Sequence, residues 1–284
     1  MIKIRRGLDI PLAGAPEQTI AREFSPRHVA LLGADYIGMK PTMAVAEGDT
    51  VAKGQAIFTD KKCEGVVYTS PASGRVSAIN RGARRVFQSL VIEVDDGVEA
   101  RNWGTLSATD ATQLSADDIK DRLIDSGEWT AIRVRPFNKV ADPATSPSGL
   151  FIAAIDTRPH AVNPEIVIAE QREAFELGQA LLANMVDCTI YVCVAPGSNA
   201  TVAAHAQVQS AAFDGPHPAG LAGTHIHFLQ GASINKLAWT VDYQDVIAIG
   251  RLFLDGEVYS AAESGVDGDG RRKGCGESVT RVNG

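Results

Sequence analysis

The spacing of apolar residues changes near Gly97, and this change constrains the fold more than any other feature of the chain. Before Gly97, apolar and polar residues alternate in short runs separated by glycine-containing turns: EGDTVAKGQAIF (47–58), SPASGRVSAI (70–79) and VFQSLVIEVDDG (86–97). Alternation with a period of two is typical of half-buried β-strands, and no segment of helical period interrupts it. The chain up to Gly97 is therefore predicted to be β structure.

After Gly97, strands and helices are predicted to alternate. Three apolar runs are predicted strands: residues 151–155, 189–194 and 238–241. Residues 170–185 carry apolar side chains at helical spacing. Ser115 with Asp118 resembles a capping box, and Asp242 is an N-cap that precedes another apolar helix. This order predicts βαβ units and a largely parallel sheet.

Glycines in the first part also carry a motif. Gly48, Asp49, Val51, Gly54 and Gln55 form a GDxVxxGQ element, and SPxxG follows at residues 70–74. This pattern resembles the β-sandwich of biotinyl and lipoyl carrier domains, in which an exposed lysine is acylated. The pair Asp60-Lys61 lies between the two elements, but its spacing from both argues against the same exposed hairpin. We expect a structural use of the scaffold, with a carrier role as the alternative.

These patterns predict an α/β protein in two parts. Residues 1–105 are predicted to form an N-terminal β barrel-sandwich hybrid, and residues 106–259 a Rossmann-like α/β domain. The second domain lacks a nucleotide-binding loop, because no GxGxxG follows a strand and no GxxxxGK[ST] occurs. Residues 260–284 are rich in Gly, Arg, Asp and Ser without apolar periodicity, so a disordered tail is predicted there.

Composition argues against several classes of function. A formal net charge of −7 makes nucleic acid an unsuitable partner, because such binding depends on Lys and Arg at phosphates. No apolar run is long enough to span a bilayer, and the first residues contain no continuous apolar core of a signal peptide. The four cysteines form no CxxC pair, so we expect reduced thiols rather than a zinc ribbon or an iron–sulfur cluster.

A histidine-rich segment is the main candidate for a site. DGPHPAGLAGTHIHF (214–228) contains His217, His225 and His227 among glycines and prolines. The sequence His217-Pro218-Ala219-Gly220 is typical of a loop that enters a helix N-terminus, where an anion or a carbonyl oxygen can bind. Structural loop histidines, a polar ligand or quinone site, and a metal site all remain open, but no carboxylate or thiolate lies at a matching spacing for zinc.

A small basic cluster is the remaining charged feature. Arg81, Arg84 and Arg85 lie close together in the sequence RGARR. Most clusters of this kind are solvated surface, and a docking patch for a partner is the alternative.

Seven longer segments are distinctive and occur in a fixed order: KIRRGLDIPLAG, VALLGADYIGMKPTM, EGDTVAKGQ, SPASGRVSAINRGA, SGEWTAIRVRPF, FDGPHPAGLAGTH and YQDVIAIGRLFLDGE. Together they resemble the A-subunit family of the Na+-pumping NADH:quinone oxidoreductases over residues 1–259. That family's chain continues further, with a β-grasp-like domain and a helical region.

The resemblance implies a peripheral subunit on the cytoplasmic face of the bacterial inner membrane. Its six-subunit complex oxidises NADH, reduces ubiquinone and exports Na+ by means of flavins and an iron–sulfur centre on other subunits. The chain itself would hold no redox cofactor, no metal and no catalytic residue. It would dock chiefly on membrane subunits and contribute to quinone binding through His217, Pro218, Ala219, Gly220 and His225.

The family is also similar to flavin-binding subunits in which a glycine-rich loop cradles FMN. Residues 127–138 match that loop, but only Gly127 is kept, and bulky residues replace the others: Glu128, Trp129, Arg133, Arg135 and Phe137. Bulky side chains block the approach of backbone amides to a phosphate. Asp156 and Arg158 fall in the next segment of those relatives, which is normally acidic. The resemblance therefore implies that FMN and NADH binding has been lost.

Three alternatives remain. The chain could be a flavin- or NADH-binding module that retains the ancestral site, a carrier modified at Lys61 or Lys62, or a zinc protein.

Overall fold

The computed structural model describes residues 1–12, 14, 18 and 26–260. Its strands are β1 (Ile2–Lys3), β2 (His28–Leu32), β3 (Pro41–Met43), β4 (Thr50–Val51), β5 (Ala56–Asp60), β6 (Val67–Thr69), β7 (Gly74–Arg81), β8 (Phe87–Val94), β9 (Arg133–Arg135), β10 (Lys139–Val140), β11 (Gly149–Ala154), β12 (Ile190–Val194), β13 (Val208–Asp214) and β14 (Ala238–Asp242). Its α-helices are α1 (Ala108–Ala111), α2 (Ala116–Ser126), α3 (Pro164–Glu170), α4 (Arg172–Met185), α5 (Ala222–Leu229) and α6 (Tyr243–Asp255). Apart from Ser260, the predicted tail lies outside the described residues.

Two antiparallel sheets form the first part of the chain. One has the order β2-β8-β7-β4 and the other β3-β5-β6. Their inward side chains are buried, and the rings of Phe58 and Tyr68 stack with centroids 4.6 Å apart. This arrangement confirms the predicted barrel-sandwich hybrid.

A seven-stranded sheet forms the second part, in the order β1-β13-β12-β11-β14-β9-β10. The strands from β1 to β14 in this order are parallel, and β9 and β10 are antiparallel additions at one edge. The predicted, largely parallel sheet is therefore confirmed.

The first strand departs from the predicted division of the chain. The boundaries at residues 105 and 259 remain predictions, but β1 pairs with β13 of the α/β sheet, with Ile2 opposite Phe213. The backbone amide of Ile4 donates to the carbonyl of Asp214 at 2.7 Å, and the Ile4 side chain is buried beside Phe213. A strand of two residues carries no local signal that identifies so distant a partner.

The two faces of this sheet are covered differently. Leu150, Ile152 and Ala154 of β11 belong to the core that includes α4 and α6. The intervening Phe151 belongs to a second, smaller core with Ile226 of α5. Because side chains alternate along a strand, α5 and the N-terminal segment cover the face opposite to α4 and α6.

Local signals position the helix ends. The hydroxyl of Ser115 accepts from the amide of Asp118 at 3.1 Å, and Asp242 forms a capping box with Asp245 at the start of α6. Gly127 and Gly256 end α2 and α6 in the left-handed region, at φ values of 86° and 75°. The predicted N-caps at Ser115 and Asp242 are confirmed.

The predicted helix at residues 170–185 begins two residues later, at Arg172. It is preceded by α3, which the sequence reasoning did not identify although Asn163 caps it and Pro164 begins it. The two helices are separate because Gln171 has a non-helical backbone, at φ −115° and ψ 31°.

The spacing argument about Asp60 and Lys61 was wrong in one respect. The pair does lie at a hairpin connection, because β5 ends at Asp60, β6 pairs with it in antiparallel fashion from Val67, and Lys61 and Lys62 between them are exposed. The Asp60 carboxylate accepts from the amides of Lys40 and Lys62, each at 2.9 Å. The backbone of the turn is therefore held in place while the Lys61 side chain is exposed.

Two kinds of feature are not found in the described part of the chain. No helix in it is both long and apolar enough to cross a membrane. Nor does that part contain a group of three His, Cys, Asp or Glu residues arranged to hold a metal ion. Cys63, Cys188 and Cys193 are free thiols in it, and burial raises the pKa of Cys63 and Cys188 to about 11.

Candidate functional site

The order of the parallel strands creates a crevice beside β11. The chain runs from β11 to β12 and β13 on one side, and then returns to place β14 on the other side of β11. In open α/β sheets, ligands bind outside the carboxyl ends of the strands at such a switch point. Here the segment that follows β11 and the start of α6 border that position.

An internal ion pair occupies part of this crevice. Arg158 donates from Nε to both carboxylate oxygens of Asp156, at 3.0 and 2.9 Å, and its Nη2 makes a further short contact with the same carboxylate. The Asp156 side chain is only 12% exposed, whereas the Arg158 side chain is 63% exposed. The guanidinium therefore faces solvent while it is held by a carboxylate of the same chain.

Asp242 adds a second carboxyl group to the crevice. Burial raises its pKa to about 6, while the amide of Gln244 and the charge of Arg158 act in the opposite direction. Asp242 and Asp156 both present negative charge where a nucleotide phosphate would lie. A dinucleotide or flavin phosphate here would meet these two carboxyl groups, and the neighbouring Arg158 is already paired with Asp156.

The predicted histidine loop lies beyond the end of β13 and enters α5, as expected. His217 is half-buried, and its Nδ1 lies 3.0 Å from the Thr157 hydroxyl, in the segment that follows β11. The same hydroxyl accepts from the amide of Gly220 at 3.0 Å. The amide of His217 donates to Asp9 at 2.8 Å. The loop is thus held by residues from two other parts of the chain, Thr157 and Asp9.

Thr157 also determines what His217 can offer to a ligand. When the Thr157 hydroxyl donates a hydrogen bond to Nδ1, the neutral imidazole carries its proton on Nε2. Nε2 is then a hydrogen-bond donor, which is the group that a quinone or carbonyl oxygen requires. The neighbouring Gly220 leaves no room for a side chain, because a Cβ there would lie 2.6 Å from the Thr157 amide nitrogen.

His225 has a different role from His217. It is fully buried, and its Nε2 lies 2.8 Å from the carbonyl of Ala219. Since a carbonyl only accepts, Nε2 carries the proton, and Nδ1 is buried without a partner among the described residues. Burial lowers the pKa of His225 to about 4, so the ring is neutral at pH 7. His225 therefore stabilises the loop through its hydrogen bond to Ala219. His227, two residues further along the chain, is exposed.

The stretch at residues 127–138 does not form a phosphate cradle. A Cβ on Gly127 would overlap the Thr69 hydroxyl, so this glycine permits close packing on the barrel-sandwich. Trp129 is buried, and its indole Nε1 donates to the carbonyl of Ala141 at 2.8 Å. These two predicted loop residues are therefore parts of the core.

The remaining residues of that stretch lie on or beside β9. The Arg133 guanidinium lies 5.0 Å from the centre of the Tyr36 ring, and burial lowers the pKa of Arg135. Phe137 is 45% exposed at the β9–β10 turn. The structure thus does not bring these residues together with the His217 loop.

Three residues of the site were not identified as such from the sequence. Thr157 links the two loops, Asp242 was recognised only as a helix cap, and Asp9 holds the His217 amide. Asp242 offered a signal, because it follows an apolar strand and so lies at the carboxyl edge of the sheet. Thr157 and Asp9 act through contacts between distant segments, and their local sequence does not reveal them.

Comparison with known proteins matches both parts of the chain to one family. A family model described as the NqrA N-terminal barrel-sandwich hybrid domain matches residues 2–95. A second, described as the NqrA second alpha/beta domain, matches residues 114–258.

Curated relatives agree with these matches. Proteins from Alcanivorax borkumensis, Yersinia pseudotuberculosis and Pseudomonas aeruginosa are each 52% identical to the chain, over 261, 258 and 260 residues. Each is named as the A subunit of Na(+)-translocating NADH-quinone reductase, and the aligned region is 91–92% of this chain. The chain spans only 58% of the length of these relatives.

Proposed function

We propose, from the premise that this chain belongs to the A-subunit family of the Na(+)-translocating NADH-quinone reductases, that it acts as a peripheral subunit of such a complex. In this proposal it binds no redox cofactor, and NADH, flavins, an iron–sulfur centre and ubiquinone are used by the complex as a whole. Its partners are the other subunits, chiefly those in the membrane, and it lies on the cytoplasmic face of the bacterial inner membrane.

The observation that carries this proposal is the internal ion pair at the switch point. A dinucleotide-binding relative needs free amides or a free cation there for the phosphates. In this chain Arg158 is engaged by Asp156, and Asp242 adds negative charge. The scaffold of a cofactor domain is thus combined with a crevice unsuited to the cofactor, which favours a role in assembly over a role in electron transfer.

An affinity purification tests this role. The tagged chain, and in parallel a full-length relative, would be isolated from detergent-solubilised membranes and assayed for flavin and for Na+-stimulated NADH:quinone activity. We expect membrane subunits, flavin and activity to accompany the tagged chain, as they accompany the full-length relative. A chain that comes out alone and colourless, while the relative brings these with it, would contradict the proposal. A chain that is free of other subunits and yellow with stoichiometric flavin would instead support the alternative of a retained ancestral site.

We also propose that the His217 loop contributes to quinone binding in the complex. The support is chemical: a half-buried imidazole with its Nδ1 at the Thr157 hydroxyl leaves Nε2 as a donor for a quinone oxygen. His225 supports the loop through Ala219 rather than by contacting the ligand.

Substitutions at Thr157 separate this role from simple loop stability. In the assembled complex, Thr157→Val and His217→Ala should raise the KM for ubiquinone about tenfold, the loss of one hydrogen bond in a partly dry site. Thr157→Ser keeps the hydroxyl and should restore the KM. His28→Ala, at an exposed histidine of β2, is the matched control. An unchanged KM in both Thr157→Val and His217→Ala would refute the quinone role.

The carrier alternative has one observation in its favour, the exposed position of Lys61 at the β5–β6 connection. Intact-mass measurement of the chain from its own source tests it. A lipoyl or biotinyl increment on Lys61 or Lys62 would support a carrier, and an unmodified mass would exclude one.

A further inference from the structure

A groove lies between the N-terminal segment and α5, on the sheet face opposite to α4 and α6. Its volume is about 530 Å³, and it is open to solvent. Residues 3–6 form one wall, and the other is formed by Pro218 with an exposed side of α5: Gly223, Thr224, His227 and Phe228. Pro218 of the His217 loop lines this groove, whereas His217 and Thr157, which carry the proposed quinone contact, are not among its lining residues.

The charge of the groove is opposite to that of the chain. Lys3, Arg5 and Arg6 line it and are exposed, whereas the chain as a whole has a formal net charge of −7. Lys3 forms a loose pair with Asp214 at 3.7 Å. Within the described ranges, no carboxylate lies within salt-bridge distance of Arg5 or Arg6. Among the described residues, two adjacent guanidinium groups therefore have no carboxylate partner.

Large apolar side chains lie beside these cations. Phe228 is 51% exposed, Leu221 is 42% exposed and Leu8 is 72% exposed. Leu8 is hydrogen-bonded to the His217 loop, because its amide donates to the carbonyl of His217 at 2.9 Å. Exposed apolar residues that border a cationic cluster are typical of surfaces that meet the headgroup region of a membrane.

We propose that this groove and its apolar border rest on an anionic phospholipid surface. Arg5 and Arg6 would contact lipid phosphates, and Phe228, Leu8 and Leu221 would enter the interface beside them. Charge complementarity favours this occupant, because an acidic chain is repelled as a whole by an anionic bilayer and is attracted to it only through local clusters of basic residues. An acidic segment of another protein is the main competing occupant. The inference rests on the proposed function only in that a peripheral subunit works beside a membrane.

Vesicle binding by the purified full chain tests the proposal directly. The probes are phosphatidylcholine vesicles with and without about 30 mol% phosphatidylglycerol, at about 0.1 M salt. We expect the chain to sediment only with the anionic vesicles. About 0.5 M salt should release it, because salt screens the charges. If it stays in solution with anionic vesicles, or binds neutral vesicles equally well, the proposal is wrong.

Paired substitutions locate the binding face. Arg5→Gln with Arg6→Gln should weaken the partition about 30-fold, since each basic residue near such a surface changes it about fivefold. Phe228→Ser should weaken it as well, without a change in charge. The matched control is Arg84→Gln with Arg85→Gln, which removes two exposed charges from the β7–β8 turn, where Val86 is also exposed. An equal loss in the control would refute the location of binding at the groove.

This test needs no other part of the complex. Failure to bind vesicles would overturn the lipid-facing groove and leave the proposed place in the complex intact, because the affinity purification examines that place separately.

Discussion

The two faces of the seven-stranded sheet differ in how closely the helices pack on them. On one face, α4 and α6 cross so closely that Gly178 and Gly250 contact the opposite backbone. On the other face, α5 covers a smaller core, His225 is buried with one ring nitrogen unpaired among the described residues, and a groove remains open. The dense face suits stability, and the sparse face suits binding.

The largest effect that should separate the faces is a response to acid. Burial lowers the pKa of His225 from 6.5 to about 4, so between these values the unfolded chain binds a proton that the folded chain excludes. The contribution of His225 is therefore complete above pH 6.5 and is lost as the pH falls towards 4. The loss amounts to about 3 kcal/mol.

This response is measured by denaturant unfolding of the wild type and of His225→Gln, at about pH 7 and at about pH 4.5. The variant should be less stable at neutral pH and should lose less stability on acidification. His28→Gln, at an exposed position, is the control. Parallel pH profiles for wild type and His225→Gln would contradict a neutral, buried His225.

A pair of glycine substitutions compares the two faces directly. In Gly250→Ala, the new Cβ would overlap the carbonyl oxygen of Ala174. The free energy of unfolding should therefore fall by about 2 kcal/mol, a net value that already includes the higher helix propensity of alanine. In Gly223→Ala on α5, nothing lies within 4 Å of the new Cβ, and the free energy of unfolding should rise by a few tenths to about 1 kcal/mol. Chemical denaturation measures both, and equal effects would remove the contrast in packing.

Glu128 is a buried carboxyl group on the densely packed face. It lies in the 3-10 turn between α2 and α6, is 1% exposed, and has no partner for either carboxylate oxygen among the described residues. Burial, and to a smaller extent the charge of Asp245, raises its pKa well above 4.5. The unfolded chain releases this proton more readily, so the group lowers stability as the pH rises above 4.5.

Glu128→Gln should therefore raise the free energy of unfolding by about 1 kcal/mol near pH 8, with a smaller gain near pH 5. Urea titrations at both pH values measure the difference. Glu99→Gln, at an exposed carboxylate, should change neither. A gain that is independent of pH would indicate that Glu128 is ionised in the folded chain.

The parts of the fold that depend on neighbours along the chain could be predicted from the sequence. Ser115 and Asp242 were recognised as caps because a helix N-terminus needs an acceptor within three residues. The alternation around Val51 and Leu90 identified the sandwich because strand periodicity is local. The His217 loop was recognised for the same reason, since its prolines and glycines lie within one short segment.

The features that could not be predicted depend on distant contacts. Thr157 and His217 are 60 residues apart, and no local pattern pairs them. The burial of His225 and Glu128 follows from which faces pack together, and both residue types are more often exposed. Residues 127–138 resembled a degenerate loop, but a glycine suits position 127 because Thr69 of the barrel-sandwich packs against it and its φ is 86°.

The pairing of β1 with β13 also sets an order for synthesis. Ile2 is made well before its partner Phe213, which follows only after both sheets of the barrel-sandwich and most of the α/β sheet. At translation rates of about 5–20 residues per second this interval is on the order of 10–40 s. During that time the segment of β1, with Lys3 and the neighbouring Arg5 and Arg6, has no strand to join. The edge of the sheet that carries the basic groove is therefore among the last parts of the chain to form.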